Sequence, residues 1–446
     1  MGAVTPGRVN TRRVVTAPTA VAAGQWQGGG VTGLLADHEA WQQGVRDRWS
    51  AARRPWGVYV HVPYCRTRCG YCDFNTYTAA ELSPVVSQAT YADQLIGEVR
   101  RTRDFLGGSD RPIDTVFFGG GTPTLLPATD LVAVLDSLAE AFGLAQDVEV
   151  TTEANPDSVD QQYLDELRSG GFTRLSLGMQ SSSPSVLSTL QRTHSPGRAE
   201  LMVSAARSAG FEHVSLDLIY GTPMESPAEW RDSVYRAIDT GADHVSAYAL
   251  TIEPGTAMGR QVLSGGLPAP DDDVAAARYE VASELLQTAG LNWYEVSNYA
   301  RDGGECRHNL GYWRGADWWG FGPGAHSHLD GLRWWTIKHP RQYAESLTGG
   351  GFPVAGWEVV DGRGRRLERL MLGLRLAEGL PVSTAAASEA ERAQPYFSEL
   401  PPGSVRDLLS RGLLDPDAAA AGRAVLTLRG RLLADRVVVE LAEALD

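Results

Sequence analysis

The sequence is nearly free of lysine: Lys338 is the only one among 40 basic residues, and the others are arginines. Acidic residues number 54, and the resulting formal net charge of -14 argues against a general binder of nucleic acids or anionic membranes. No run of about 18 apolar residues occurs, and the amino terminus lacks the basic-then-apolar order of a secretory signal. We therefore expect a cytoplasmic protein with no integral membrane segment and no nucleic-acid partner.

Cysteine is also scarce, with four residues in a chain of 446. That number is too small for a disulfide scaffold, and three of the four, Cys65, Cys69 and Cys72, lie within eight residues. Three thiolates can hold three irons of a cubane [4Fe-4S] cluster and leave the fourth iron open. Two alternatives remain. A structural zinc site needs a fourth ligand such as His61 or Cys306, and a disulfide leaves one thiol over.

From residue 57 onward, short β-branched runs alternate with amphipathic stretches, which predicts βαβ units and a parallel sheet. The predicted strands are Val58–Val62, Thr115–Phe118, Val148–Thr152, Arg174–Gly178, His213–Ile219 and His244–Leu250. The predicted helices between them are Tyr91–Arg103, Leu131–Phe142, Gln161–Ser169, Arg198–Ala209 and Ala228–Thr240. Six units make about three quarters of a (β/α)8 barrel, so the predicted fold class is α/β, a partial (β/α)6 TIM-like barrel. Chemistry in such barrels gathers at the C-terminal ends of the strands.

Composition divides the chain into four predicted segments. Residues 1–56 form an N-terminal extension that we expect to be partly disordered, and residues 57–290 form the barrel. Residues 291–362 are expected to close the barrel, and six of the 12 tryptophans lie between positions 293 and 335. Residues 363–446 read as helices around one short strand, Ala424–Leu428, which suits a small C-terminal winged-helix-like domain.

The string Cys65-Arg-Thr-Arg-Cys69-Gly-Tyr-Cys72, placed after the first predicted strand, resembles the CxxxCxxC motif of the radical S-adenosylmethionine (SAM) superfamily. Residues after the later strands are similar to the SAM-binding series of oxygen-independent coproporphyrinogen III oxidases and their relatives. The resemblance implies that the three cysteines hold a [4Fe-4S] cluster. It also implies SAM contacts by Tyr59, Tyr71, Gly120, Gly121, Thr122, Glu153, Gln180, Arg192 and Asp217.

Two chemical expectations accompany this series. The glycine-rich turn Gly119-Gly120-Gly121-Thr122-Pro123 can offer backbone N–H groups to the amino acid end of SAM, because no side chain keeps the ligand away. The carboxylate of Glu153 can accept hydrogen bonds from ligand hydroxyl or amino groups.

Two features distinguish the branches of this family. The oxidases carry a further cysteine two residues after the third cluster ligand, where this chain has Phe74. The string Cys72-Asp-Phe-Asn is instead similar to the HemW branch, whose members are described as heme chaperones. The HNxxYW string that begins at His308 looks like the heme-binding motif of the same branch.

The resemblance therefore implies a heme site. The residues expected to bind heme are His308, Asn309, Tyr312 and Trp313. Neutral imidazole is a common ligand of heme iron, and aromatic rings supply flat apolar surface for a porphyrin. We expect His308 to ligate the iron. His326 and His328 are further candidates that the sequence does not separate from ordinary loop histidines.

The expected function is that of a heme chaperone, which binds a [4Fe-4S] cluster, SAM and heme and passes heme to an acceptor protein. One alternative is an oxygen-independent coproporphyrinogen III oxidase, and another is a radical SAM methyltransferase. The sequence does not identify the acceptor, and we expect a monomer or a homodimer.

Overall fold

The structure is a computed structural model of the chain and describes residues 38–52, 54–82, 88–108, 111–388, 391 and 399–445. Residues 1–37, which belong to the predicted N-terminal extension, lie outside the described residues. In the part of the chain that is described, no helix is long and apolar enough to cross a membrane.

Six parallel strands form the centre of the fold, and each pairs with the next in sequence order. Their β-branched and leucine-rich runs suit this position because outer helices and the barrel interior bury both faces of the sheet. The predicted α/β fold with a partial (β/α)6 barrel is confirmed. The strands are β1 (Trp56–Val62), β2 (Ile113–Gly120), β3 (Leu144–Ala154), β4 (Arg174–Gln180), β5 (His213–Tyr220) and β6 (His244–Ala249).

The outer helices are α1 (His38–Ala51), α2 (Tyr91–Leu106), α3 (Ala128–Phe142), α4 (Gln161–Ser169), α5 (Pro184–Thr189), α6 (Arg198–Ala209), α7 (Pro227–Asp239), α8 (Ala257–Leu263) and α9 (Asp272–Thr288). Helix α1 precedes β1 in the chain, α2 to α7 lie between the six strands, and α8 and α9 follow β6. Side chains at the helix starts fix several of these boundaries. Ser226, for example, caps α7 through a reciprocal pair of hydrogen bonds with Glu229.

Antiparallel extensions widen the sheet to 12 strands. At one edge, β7 (Asn292–Glu295) and β8 (Asn298–Ala300) follow β6. At the other, β9 (Asp317–Phe321) pairs parallel with β1 and leads to antiparallel β10 (His326–Leu329), β11 (Leu332–Thr336) and β12 (Val354–Val359). The helices of this region are α10 (Arg307–Trp313) and α11 (Pro340–Thr348). The tryptophan-rich region is therefore largely strand.

Helix α1 covers the outer face of this extension. Its Trp41 is fully buried and stacks on Phe105 of α2 at a ring separation of 5.9 Å. The same indole meets the edge of Trp334 of β11, also at 5.9 Å. Residues 38–51 thus form an ordered helix within the segment that we predicted as an N-terminal extension.

The C-terminal region has a hydrophobic core of its own, which includes Leu374, Val437 and Leu441. Its helices are α12 (Gly362–Gly373), α13 (Pro402–Ser410), α14 (Pro416–Ala420), α15 (Leu428–Leu432) and α16 (Ala434–Glu443), and its two short strands are β13 (Leu380–Pro381) and β14 (Arg423–Ala424). The predicted strand Ala424–Leu428 is wrong in extent, because the Thr427 side chain accepts a hydrogen bond from Gly430 N–H and starts α15.

The packing of α1 generates a stability prediction. Replacing Trp41 with Ala leaves a cavity among Phe105, Trp334 and Phe352, so we expect the free energy of unfolding to fall by about 3–5 kcal/mol. The matched control is Leu201→Ala, whose side chain is 62% exposed and whose loss should change stability by less than about 0.5 kcal/mol. Urea denaturation of both variants measures the difference, and equal midpoints would contradict the packing of α1.

Candidate functional site

The cysteine-bearing loop follows directly on β1 and is held at several points. Cys65 N–H donates to the carbonyl oxygen of Tyr77 at 3.0 Å, and Cys72 N–H donates to that of Cys69 at 3.2 Å. Gly70 is fixed from both sides, since its N–H donates to Leu190 and its carbonyl accepts from Met258. The loop is therefore anchored to the segments that follow β4 and β6.

The three thiols of this loop lie close enough to influence each other. Burial raises the pKa of Cys65 and raises that of Cys72 to about 12, and the neighbouring sulfur atoms add to both shifts. Repulsion between thiolates is relieved when they bind cationic irons, so this donor set fits an iron-sulfur cluster. Among the described residues, no three His, Cys, Asp or Glu side chains converge on one metal-ion position. A cubane does not require such convergence, because each thiolate binds a different iron.

The two residues considered as a fourth zinc ligand, His61 and Cys306, are both engaged in other contacts. His61 has both ring nitrogens engaged, one with the Tyr59 hydroxyl and one with the Asn75 carbonyl, each at 2.9 Å. Cys306 is buried, and its sulfur lies 3.6 Å from a carboxylate oxygen of Glu149. Neither side chain is presented to the cysteine loop as a free ligand.

Arg192 links this loop to the end of β4. Its guanidinium donates to Cys69 Sγ at 3.4 Å and to the Gly178 carbonyl at 3.0 Å, while its Nε is buried without a hydrogen-bond partner. Burial alone would lower the pKa of Arg192, but Tyr71 and the cysteine sulfurs more than offset it and raise the pKa. Arg192 therefore places a permanent positive charge beside the predicted cluster ligands.

The glycine-rich turn after β2 packs against the start of the cysteine loop. A Cβ atom on Gly121 would lie 2.5 Å from the Tyr64 carbonyl oxygen, so only glycine fits there. The expectation that this turn offers free N–H groups to SAM is wrong for three positions. Gly121 N–H donates to Val62, Thr122 N–H to Tyr64, and Gly120 N–H to the Glu153 carboxylate.

Two carboxyl groups, Glu153 and Asp217, share the barrel interior. Burial, followed by repulsion from Asp217, raises the pKa of Glu153 to about 8, although Gly120 N–H donates to it at 3.0 Å. Asp217 accepts a hydrogen bond from Ser176 Oγ at 3.0 Å, and burial raises its pKa as well. A cationic ligand would stabilise both carboxylates in this position.

Tyr59 and Gln180 line the same interior. The Tyr59 ring stacks on Phe117 of β2 at 6.3 Å, and its pKa is raised well above its usual value by burial and then by Glu153. Gln180 ends β4 with a φ of 63°, an uncommon conformation for a residue with a side chain. Tyr71 packs with Leu190 and Met258 in a small hydrophobic cluster beside the cysteine loop. The structure thus places the predicted SAM residues around the barrel interior and the cysteine loop.

The HNxxYW segment lies toward the opposite end. It forms α10, where His308 Nδ1 is hydrogen-bonded to Thr115 Oγ1 and His308 Nε2 to the Tyr312 hydroxyl, both at 2.8 Å. The His308 ring also stacks on Phe117 at 5.3 Å and is 4% exposed. Thr115 stands near the start of β2, whereas the cysteine loop follows the end of β1. The segment therefore closes the end of the barrel at which the parallel strands begin, and neither ring nitrogen of His308 is free there.

Of the other predicted heme-binding residues, Trp313 is buried, and Asn309 and Tyr312 are half-buried. Asn309 Nδ2 donates to Glu295 Oε1 at 3.0 Å, and Trp313 is 2% exposed and packs with Val296 and Leu376. The Tyr312 ring meets the edge of Trp318 at 4.8 Å. None of these side chains presents an open flat surface in this conformation.

Sequence reasoning missed the polar residues that hold α10 in place. Glu149 of β3 accepts hydrogen bonds from the N–H groups of Arg307 and His308, at 3.0 and 2.9 Å, and from Arg174 Nε at 3.2 Å. Glu295 of β7 holds Asn309. The sequence does contain a signal for two of these residues. Glu149 and Arg174 are charged residues in predicted strands that are otherwise mainly apolar, which indicates a buried ion pair.

Comparison with known proteins agrees with these features. Residues 59–235 match the radical SAM superfamily, and residues 360–433 match the HemN C-terminal domain. The chain is 50% identical over 387 residues to "Heme chaperone HemW" of Mycobacterium tuberculosis, covering 86% of this chain and 94% of that protein. Proteins of the same name from Bacillus subtilis and Escherichia coli are 32% and 35% identical, over 85% and 73% of this chain and 97% and 84% of theirs.

Among solved structures, the chain is similar to the radical SAM enzyme coproporphyrinogen III oxidase (HemN) from Escherichia coli. The TM-score is 0.75, with 21% identity and 96% of each chain covered, which shows a shared fold. The cofactors of a radical SAM domain are a [4Fe-4S] cluster and SAM, and Cys65, Cys69 and Cys72 fit its motif. Because a HemW protein is half identical to it over nearly that protein's whole length, the chain belongs to the HemW family of the radical SAM superfamily.

Proposed function

We propose that this chain is a heme chaperone, which binds heme and passes it to an acceptor protein. The observation that carries the proposal is the 50% identity to a protein named as a heme chaperone, over 94% of that protein. Phe74 supports it, because the oxidases of the wider family have a cysteine at that position. The net charge of -14 argues against nucleic-acid binding, and the free, clustered thiols suit a reducing compartment such as the cytoplasm. The assembly that we propose is a monomer or a homodimer.

In this proposal the cluster and SAM lie at the end of the barrel that bears the cysteine loop, which we call the open end. The end covered by α10 is the closed end. A cluster bound by three cysteines would keep one iron without a protein ligand, and that iron would be available to SAM. Cys65, Cys69 and Cys72 hold the cluster, and Arg192 places positive charge beside it. The residues proposed to contact SAM are Tyr59, Tyr71, Gly120, Gly121, Thr122, Glu153, Gln180, Arg192 and Asp217.

The heme residues proposed from the sequence are His308, Asn309, Tyr312 and Trp313. For His308 to ligate iron, its hydrogen bond to Thr115 or to Tyr312 must first break, because the two bonds occupy both ring nitrogens.

Three replacements test the cluster. In the variant Cys65→Ser/Cys69→Ser/Cys72→Ser, we expect anaerobically reconstituted protein to lose its iron and its visible absorbance, because a serine hydroxyl does not replace a thiolate ligand. Cys306→Ser is the matched control and should keep both, since Cys306 lies beside Glu149 and far from the loop. Zinc without iron in wild-type protein, or full iron content in the triple variant, would contradict the cluster assignment.

The pKa of Glu153 predicts how SAM binding depends on pH. The sulfonium of SAM is a permanent cation, so SAM favours the ionised form of a carboxyl whose pKa is about 8 before the ligand binds. Affinity should therefore rise as the pH passes from about 7 to about 9, by at most about tenfold per unit for one proton. In Glu153→Gln this added pH dependence should disappear and binding should weaken.

Isothermal titration of cluster-loaded protein with SAM measures this dependence. Glu166→Gln is the control, because Glu166 is an exposed carboxylate on α4. Identical pH profiles for wild type and Glu153→Gln would exclude Glu153 from the SAM site.

The function itself is tested by two parallel assays on anaerobically reconstituted protein. We expect heme titration to produce a saturable Soret band, and we expect no turnover of coproporphyrinogen III in the presence of SAM and a reductant. Turnover would identify a coproporphyrinogen oxidase, and a methylated product would identify a methyltransferase. Either product, or the absence of any heme binding, would contradict the chaperone proposal.

A further inference from the structure

One face of β2 touches both the predicted heme ligand and a predicted SAM residue. Thr115, Phe117 and Gly119 are alternate residues of this strand and therefore share a face. Thr115 Oγ1 is hydrogen-bonded to His308 Nδ1 at 2.8 Å. A Cβ atom on Gly119 would lie 2.9 Å from the Phe117 ring and 3.0 Å from a carboxylate oxygen of Glu153. Phe117 thus stands between the two groups of residues along the strand.

The Phe117 ring makes stacked contacts with a residue of each group. Tyr59 is its register partner on β1, and their rings lie 6.3 Å apart at an angle of 24°. The His308 ring lies 5.3 Å from Phe117, also at 24°. Tyr59 is joined in turn to the cysteine loop, because its hydroxyl is bonded to His61, which is bonded to the Asn75 carbonyl. A continuous series of contacts therefore leads from the cysteine loop to His308.

The two groups also lie within electrostatic reach of each other. The pKa of Tyr59 is raised first by burial and then by Glu153 and Tyr312. The pKa of Tyr312, a predicted heme residue, is raised by burial, by Cys306 and by Glu153. A cationic ligand at Glu153 would therefore act on the surroundings of both tyrosines.

The stacked orientation of His308 is one in which it does not ligate iron, because both of its ring nitrogens are hydrogen-bonded. Phe117 is half-buried, so part of its ring is accessible from the barrel interior. A ligand that covers this part confines the ring, and a confined ring packs more firmly against the imidazole. Such a ligand favours the orientation that excludes iron ligation and shifts the equilibrium toward it.

We propose that SAM and heme bind antagonistically and that Phe117 is the positioning residue that couples them. SAM bound to Tyr59 and Glu153 holds the Phe117 ring against His308 and keeps the imidazole on Thr115 and Tyr312. The inference rests on the proposed heme and SAM binding and adds a means of release, since the arrival of SAM weakens the hold on heme. By thermodynamic linkage, heme weakens SAM binding by the same factor.

Heme titration of full-length, cluster-loaded protein at increasing SAM concentration, without a reductant, measures this coupling. We expect the dissociation constant of heme to rise by at least about fivefold and then to level off, whereas competition for one shared site would not level off. In Phe117→Leu the constants with and without SAM should become about equal, because leucine offers the imidazole no flat face. The comparison is made within each variant, so a change in affinity for one ligand alone does not imitate a loss of coupling.

Phe118→Leu is the matched control. It makes the same substitution at the next position of β2, where the ring is fully buried and packs on Phe172 at 5.2 Å. This variant should keep the wild-type coupling factor. A heme affinity that SAM leaves unchanged or raises in wild-type protein would overturn the antagonism, and full coupling in Phe117→Leu would overturn the role of Phe117.

Hydrogen exchange without heme separates this inference from the proposed function. SAM should slow the exchange of the α10 amides in wild-type protein and in Phe118→Leu, and it should not do so in Phe117→Leu. Unchanged α10 exchange in wild-type protein that binds SAM would contradict the coupling directly. Slowed exchange in protein that binds no heme would instead overturn the proposed function.

Discussion

The closed end of the barrel depends on one buried anion, Glu149. Its carboxylate accepts hydrogen bonds from the Arg174 guanidinium on β4 and from two backbone N–H groups that begin α10. A buried carboxylate is tolerated only when it is paired and fully hydrogen-bonded, and breaking such a pair typically costs about 3–5 kcal/mol. This one side chain therefore joins β4 to the start of α10, and Glu295 holds the same helix at Asn309.

The two ends of the barrel use polar residues in opposite ways. At the closed end opposite charges are paired, Glu149 with Arg174, and both ring nitrogens of His308 are hydrogen-bonded. At the open end two buried carboxyl groups lie close together, and burial raises the pKa of both Glu153 and Asp217. Such a pair of carboxyl groups suits the binding of a cationic ligand.

Much of this arrangement could be predicted from the sequence. The alternation of β-branched and amphipathic segments predicts β1 to β6 and their helices, because periodicity is a local property. The cysteine spacing predicts the cluster ligands for the same reason. The hydrogen bond between His308 and Thr115 could not be predicted, since the two residues are 193 positions apart in sequence. The N–H groups of the glycine-rich turn have partners that only the folded chain brings near them, as Gly121 and Val62 show.

The scarcity of lysine has a consequence for proteolysis. Lys338 is exposed in the connection between β11 and α11, so a protease specific for lysine can cut this chain at only one peptide bond. The cut separates β11 from β12, yet these strands stay hydrogen-bonded from Leu332 with Val359 to Thr336 with Val354. The two fragments therefore remain associated under native conditions, held by the pairing of β11 with β12.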